Sequence, residues 1–102
     1  MFAVISIYQL EQMLSQGQRL LLIDLRTEAE YRQSHLQGAV NIPYDCLEEG
    51  TLTCYRDIPM LFYCTHGGKS MQAARELSRR GWQAASLGSG IQYYHGKYLV
   101  SG

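Results

Sequence analysis

Two unbroken apolar runs, Leu20-Leu21-Leu22-Ile23 and residues 59–63, constrain this chain more than any other feature. A strand with one wet face alternates apolar and polar residues. A strand that is apolar throughout must be covered on both faces, the condition of a parallel sheet between helix layers. Between these runs the pattern turns helical. Leu10, Met13 and Leu14 recur at helical spacing behind Ser6 and Gln9, a capping-box pair, and Gly17 stops that helix. Thr27 and Glu30 repeat the capping signal ahead of a short polar helix running toward Ser34. Residues 70–80 place Met71, Ala73, Ala74 and Leu77 on one apolar face, with Gly81 as the stop. Shorter strand candidates are 3–5, 39–42 (closed by Pro43) and 84–87. Residues 44–57 predict a short helix and a loop, and 91–94 a short terminal helix. Strands alternating with helices predict an α/β fold with a central, mostly parallel five-stranded sheet flanked by helices on both faces.

Length and composition narrow the function classes. The 102 residues contain no repeat, low-complexity tract or linker, so one domain over 1–102 is expected. Nine basic and nine acidic side chains give a net charge of +0, which argues against nucleic-acid and membrane-surface partners. Met1 to Ile7 lacks the basic start of a signal peptide, and no apolar run approaches the roughly 18 residues of a membrane span. The 3 cysteines are odd in number and form no C-x-x-C pair. This argues against a disulfide framework and a cysteine metal site, and for reduced thiols in a cytoplasmic setting.

In a parallel α/β sheet the functional crevice lies beyond the carboxyl ends of the strands. Asp24-Leu25-Arg26 falls there, and so does Cys64, which opens the loop Cys64-Thr65-His66-Gly67-Gly68-Lys69-Ser70. Glycines allow successive amides to turn toward one centre, and the helix that follows adds unpaired donors and the positive end of its dipole. Such a nest favours the thiolate of a cysteine at its mouth and would hold a small anion, with Lys69 as a cation at the rim. A lone cysteine after an apolar strand is ordinarily a small buried hydrophobe. Gly67-Gly68 before a helix, having no packing purpose of its own, tips the reading to a reactive thiol.

Other residues carry paired readings. Arg26 is either an anion-binding group or an ion-pair partner of Asp24 or Glu30 that ties the loop down, the second being favoured. His66 is either a substrate contact or an exposed loop side chain. His35 reads as a structural hydrogen-bonding residue and His95 as surface. Cys46 and Cys54 have no spacing that demands a resolving role. Tyr93, Tyr94 and Tyr98 read as core edge rather than as an interface.

Three stretches in order resemble the rhodanese-like sulfurtransferases. Ile23-Asp24-Leu25-Arg26 with Glu30-Tyr31 and His35 through Pro43 looks like the family's D-x-R…E-[FY]…G-H-I-x-G-A-x-N-I-P. Phe62 through Ser70, with Ala73-Ala74 and Leu77…Gly81-Trp82, looks like Y-C-x-x-G-x-R-S-x-x-A-A-x-x-L-x-x-x-G-[FW]. Leu87-Gly88-Ser89-Gly90-Ile91 resembles the closing L-x-G-G-I. Lys69 stands where many members carry arginine, which keeps the charge and loses bidentate anion binding. Ser34 replaces the glycine of the G-H-I element. Ser89 replaces the first glycine of the closing pair and is expected to cap the terminal helix. Tyr94 falls where members often have tryptophan.

The resemblance implies a sulfurtransferase in which Cys64 takes a sulfane sulfur from a small anionic donor, thiosulfate or a persulfide. The Cys64 persulfide then passes it to cyanide, a thiol or a protein acceptor. Amides from Thr65 to Ser70 would stabilise the sulfur anion, with Arg26 among the substrate-binding groups. No cofactor is implied, and the expected assembly is a monomer or weak homodimer. A cysteine-based phosphatase or arsenate reductase is the first rival, but its loop is C-x-x-x-x-x-R, and the residue six after Cys64 here is Ser70. The second rival is a non-catalytic rhodanese-like binding module, which typically lacks the cysteine. A mercaptopyruvate-type donor is disfavoured, because that subgroup resembles C-G-[ST]-G-V-T.

Overall fold

The computed structural model describes residues 3–102, so Met1 and Phe2 of the N-terminal segment read above lie outside the described residues. Five strands form one sheet: β1 (Ala3–Ile5), β2 (Leu21–Asp24), β4 (Val40–Asn41), β5 (Met60–Tyr63) and β6 (Ala84–Leu87). Their order is β1-β6-β5-β2-β4, and every pairing is parallel. The two unbroken apolar runs supply the middle of this sheet. All four residues of β5 are buried, and β2 lies beside it in the register Leu22↔Leu61 and Asp24↔Tyr63.

Helices cover both faces, as the double burial of β2 and β5 requires. Helix α3 (Gly68–Arg79) lays Ala73, Ala74 and Leu77 against Ile23, Phe62 and Trp82 on one face. Helix α1 (Ile7–Ser15) sets Leu10 against Leu22, Leu61, Tyr63 and Leu87 on the other. Each of the buried leucine, isoleucine and phenylalanine side chains among these contributes roughly 1.5–3 kcal/mol of transfer free energy. Both capping boxes form. The Gln9 amide donates to Ser6 Oγ (3.1 Å), and the Glu30 amide at the start of α2 (Glu28–Gln33) donates to Thr27 Oγ1 (3.2 Å). Among the described residues no helix is long and apolar enough to cross a membrane.

The structure departs from the sequence expectations at several places. Residues 91–94 form turns rather than a helix, because the Ile91 and Gln92 amides donate to the carbonyls of Cys64 and Thr65 instead of to a helical partner. Ser89 therefore caps no helix, and its hydroxyl donates to the Gly90 carbonyl (3.1 Å). Helix α3 starts at Gly68, two residues before Ser70, so the second loop glycine is already helical. A second, antiparallel sheet pairs β3 (His35–Leu36) with β7 (Leu99–Val100), which no local pattern foretold. In place of the short helix expected in 44–57 stand two 3₁₀ segments, Tyr44–Cys46 and Glu49–Tyr55. The tyrosine cluster divides: Tyr94 is buried with the α1-side core, Tyr98 packs at its edge, and Tyr93 is exposed.

Candidate active site

Strand β5 ends at Tyr63, which delivers Cys64 to the carboxyl edge of the sheet beside the end of β2. Cys64 is buried, 6% exposed, and lines the cleft at this edge. The Gly67 amide donates to its Sγ at 3.1 Å and the Ser70 amide at 3.4 Å, while Ser70 Oγ stands 3.6 Å away. Gly68, Lys69 and Ser70 form the first turn of α3, whose amides have no acceptor within the helix. The sulfur thus sits against a helix N-terminus with a ring of donors around it, a place that favours negative charge.

Two close backbone approaches hold that ring. Gly67 has φ +97°, and a Cβ there would stand 2.1 Å from the Gly88 carbonyl oxygen. Gly90 has φ +74°, and a Cβ there would stand 2.1 Å from the Thr65 carbonyl oxygen. The loop therefore lies directly on the Gly88–Gly90 turn, backbone against backbone. Gly67 has a packing purpose after all, contrary to the sequence reading; Gly68 has open space where a Cβ would go.

The sulfur opens into a cleft of about 380 Å³ bordered by Arg26, Glu30, Tyr44, Thr65, His66 and Lys69, among others. His66 and Lys69 are exposed at the rim. Lys69 Nζ lies 5.6 Å from the centroid of the Tyr44 ring, a cation–π distance, and the Tyr44 hydroxyl donates to Gln72 Oε1 (3.0 Å). Thr65 Oγ1 donates to Glu30 Oε2 (3.3 Å), which joins the loop to the start of α2. The Thr27 amide bonded to Glu30 is the main reason its carboxyl lies below the ordinary range, helped by the hydroxyls of Thr27 and Thr65 against some opposing burial.

Arg26 borders the cleft, yet its head group is committed elsewhere. Its Nε and Nη2 donate to the fully buried Asp24 carboxylate, with Nη2 to Oδ2 at 2.7 Å, and Nη2 also donates to the Ser34 carbonyl. Burial disfavours the Arg26 charge, but the Asp24 hydrogen bonds and charge outweigh it and raise the guanidinium above its usual range. The ion pair foreseen with Asp24 is present and ties the β2–α2 turn to the end of α2. Beside it the fully buried Tyr63 hydroxyl accepts the Leu36 amide (3.0 Å), and burial pushes its phenol well above the ordinary range. Asp24→Ala is expected to destabilise the protein by about 3–5 kcal/mol, because it strands a nearly buried cation. Chemical denaturation measures this; a loss under about 1 kcal/mol would mean that water already screens the pair.

His35 takes the structural place expected of it, its Nδ1 2.7 Å from the Tyr31 carbonyl and its ring stacked on Tyr31. Cys46 and Cys54 are free and exposed on the 3₁₀ segments, and His95 is exposed. Sequence reasoning missed Tyr44 as a wall of the cleft. It comes three residues after β4 ends, in the loop beyond that strand's carboxyl end, so the strand-end rule pointed to its neighbourhood.

A parallel α/β sheet with one sulfur held under helix-start amides at a central strand's end defines a class of protein, the cysteine-centred α/β domain. The model of the rhodanese-like domain matches residues 6–97, and the chain belongs to that family. It is 38% identical over 74 residues to a tRNA sulfurtransferase of Desulfurococcus amylolyticus, covering 72% of this chain and 14% of that protein. It is 35% identical over 72 residues to the thiosulfate sulfurtransferase PspE of Escherichia coli, 69% of each. Among solved structures it superposes on a rhodanese-related protein from Thermoplasma volcanium with a TM-score of 0.84 at 25% identity, over 97% of this chain and 98% of that one.

Proposed function

We propose that this protein is a sulfurtransferase that carries a sulfane sulfur as a Cys64 persulfide. The observation that carries this reading is the Cys64 sulfur held by the Gly67 and Ser70 amides at the mouth of an open cleft. The resemblance to relatives named as sulfurtransferases supports it. The donor is a small sulfur anion, thiosulfate or a persulfide. The Cys64 thiolate attacks the outer sulfur of thiosulfate; a new S–S bond forms, the donor's S–S bond breaks, and sulfite leaves with the electron pair. The outer sulfur of the persulfide, now anionic, is held by the same amides, an electrostatic role like that of an oxyanion hole. Cyanide or a thiolate then attacks that outer sulfur, thiocyanate or a new persulfide departs, and the Cys64 thiolate returns. Neither step needs a metal or an organic cofactor. Cys46 and Cys54, exposed and outside any disulfide, suit a cytoplasmic setting.

The loop also bears on the phosphatase reading. The sixth position after Cys64 holds Ser70, which is fully buried and bonded to the Gly67 carbonyl (3.1 Å), so no guanidinium reaches the cleft from there. The deciding experiment is incubation with excess thiosulfate followed by intact mass spectrometry. The expected product gains one sulfur atom, removable by cyanide with release of thiocyanate. An unchanged mass sinks the proposal in favour of a binding module, and turnover of an aryl phosphate or arsenate would install the first rival. Lys69→Ala is expected to raise the thiosulfate KM by about 3–10-fold with little change in kcat, since its charge lies at the rim. A fall in kcat alone would place Lys69 in the transition state instead.

A further inference from the structure

Behind the Cys64 ring lies a polar group that takes no direct part in the sulfur transfer. Ser86 sits on β6, fully buried in a strand whose other buried residue is Leu87. Its hydroxyl stands 2.8 Å from Ser70 Oγ, and Ser70 is its one hydrogen-bond partner among the described residues. Ser70 Oγ in turn touches three groups: Ser86 Oγ, the Gly67 carbonyl (3.1 Å) and Cys64 Sγ (3.6 Å).

Each hydroxyl has one hydrogen to give, which settles who donates to whom. If Ser70 gave its hydrogen to Ser86, the Ser86 hydrogen would be buried with no acceptor, at a cost of about 1–3 kcal/mol. With Ser86 donating to Ser70, the Ser70 hydrogen is free for the Gly67 carbonyl, and its remaining lone pair faces the Cys64 S–H. When the thiol loses its proton to the solvent of the cleft, the Ser70 hydrogen can turn from Gly67 to the sulfur anion. Ser86 keeps donating throughout, and a hydroxyl that accepts a hydrogen bond becomes a stronger donor.

We infer that Ser86 is a positioning residue for the sulfur chemistry of Cys64, acting through Ser70 as the fixed donor that turns the Ser70 hydroxyl into a switchable one. The inference rests on the sulfurtransferase reading for its meaning in the reaction, but the hydrogen-bond chain can be tested without turnover. The same device would serve the persulfide, whose charge lies on the outer sulfur next to the same donors.

The test is the pH profile of Cys64 alkylation by iodoacetamide, read by peptide mass so that Cys46 and Cys54 are scored separately. In Ser86→Ala the profile is expected to move upward by about half to one pH unit, with thiosulfate turnover at neutral pH falling about 3–10-fold. Ser86→Thr and Ser86→Val add the same branched bulk and differ in the hydroxyl alone, so Thr should follow the wild type and Val should follow Ala. A profile unmoved in Ser86→Ala overturns the inference, as does an equal shift in Thr and Val, which would mark a packing effect. If the wild type takes no sulfur from thiosulfate, the proposed function falls while the alkylation profiles still judge Ser86.

Discussion

Cys64→Ser is expected to lower thiosulfate turnover by about 10⁴-fold or more, to the floor of the assay, while leaving stability within about 1 kcal/mol of the wild type. The serine hydroxyl fills most of the thiol's space and can accept the hydrogen bonds of the Gly67 and Ser70 amides that now end on sulfur. It cannot do the chemistry, because it is not ionised near neutral pH and no histidine or carboxylate among the described residues is hydrogen-bonded at the Cys64 sulfur to activate it. The alanine variant separates the two roles. Cys64→Ala leaves two buried donors without an acceptor, so it should cost a further 1–3 kcal/mol or so in denaturation as well as losing turnover. Residual sulfur transfer in Cys64→Ser would move the reaction to Cys46 or Cys54. Equal stability of the two variants would show that the amides do not depend on the sulfur.

Gly67→Ala is expected to be strongly damaging, at about 3 kcal/mol or more, with turnover lost along with it. At φ +97° an L side chain is already strained by roughly 1–2 kcal/mol. Its Cβ would also stand 2.1 Å from the Gly88 carbonyl oxygen and 3.0 Å from the carbon behind it. That carbonyl cannot step aside, since Gly88 is bonded through its amide to Ile5 (3.0 Å) and the Gly90 amide to Leu87 (3.0 Å). The loop would have to lift off the turn and draw the Gly67 amide away from the sulfur. Gly68→Ala is the control: with nothing within 4 Å of its Cβ and a helical backbone, it should hold stability or gain up to about 1 kcal/mol. Thermal and denaturant unfolding of both variants checks the contrast. Equal losses in the two would mean that the loop needs glycine flexibility rather than one close approach.

What was legible in the chain follows from how local each signal is. The central strands β2 and β5 could be read because the runs 20–23 and 60–63 are each four consecutive apolar residues, which leave no wet face. Both capping boxes could be read because their donors and acceptors lie three residues apart. The β3–β7 sheet could not, since it joins His35 to Val100 through strands of two residues each. Residues 91–94 carried a helical pattern, but the Ile91 and Gln92 amides are drawn to Cys64 and Thr65, partners far away in sequence. Arg26 could be seen to need an acid, and Asp24 was in view; that the pair is almost wholly buried was not.

By itself, then, the sequence determined the kind of protein. Period changes along the chain set a parallel α/β sheet, and the strand-end rule put Cys64 and its glycine loop at the crevice, because both depend on residues adjacent in the chain. Tertiary structure decided which parts of that loop matter. The two glycines looked equivalent until Gly88 and Gly90 were seen to press against one stretch of it, and Ser86 had no visible role until β6 brought its hydroxyl to 2.8 Å from Ser70. Close backbone approach and a buried hydroxyl's choice of partner are set between segments distant in sequence, so only the folded chain shows them.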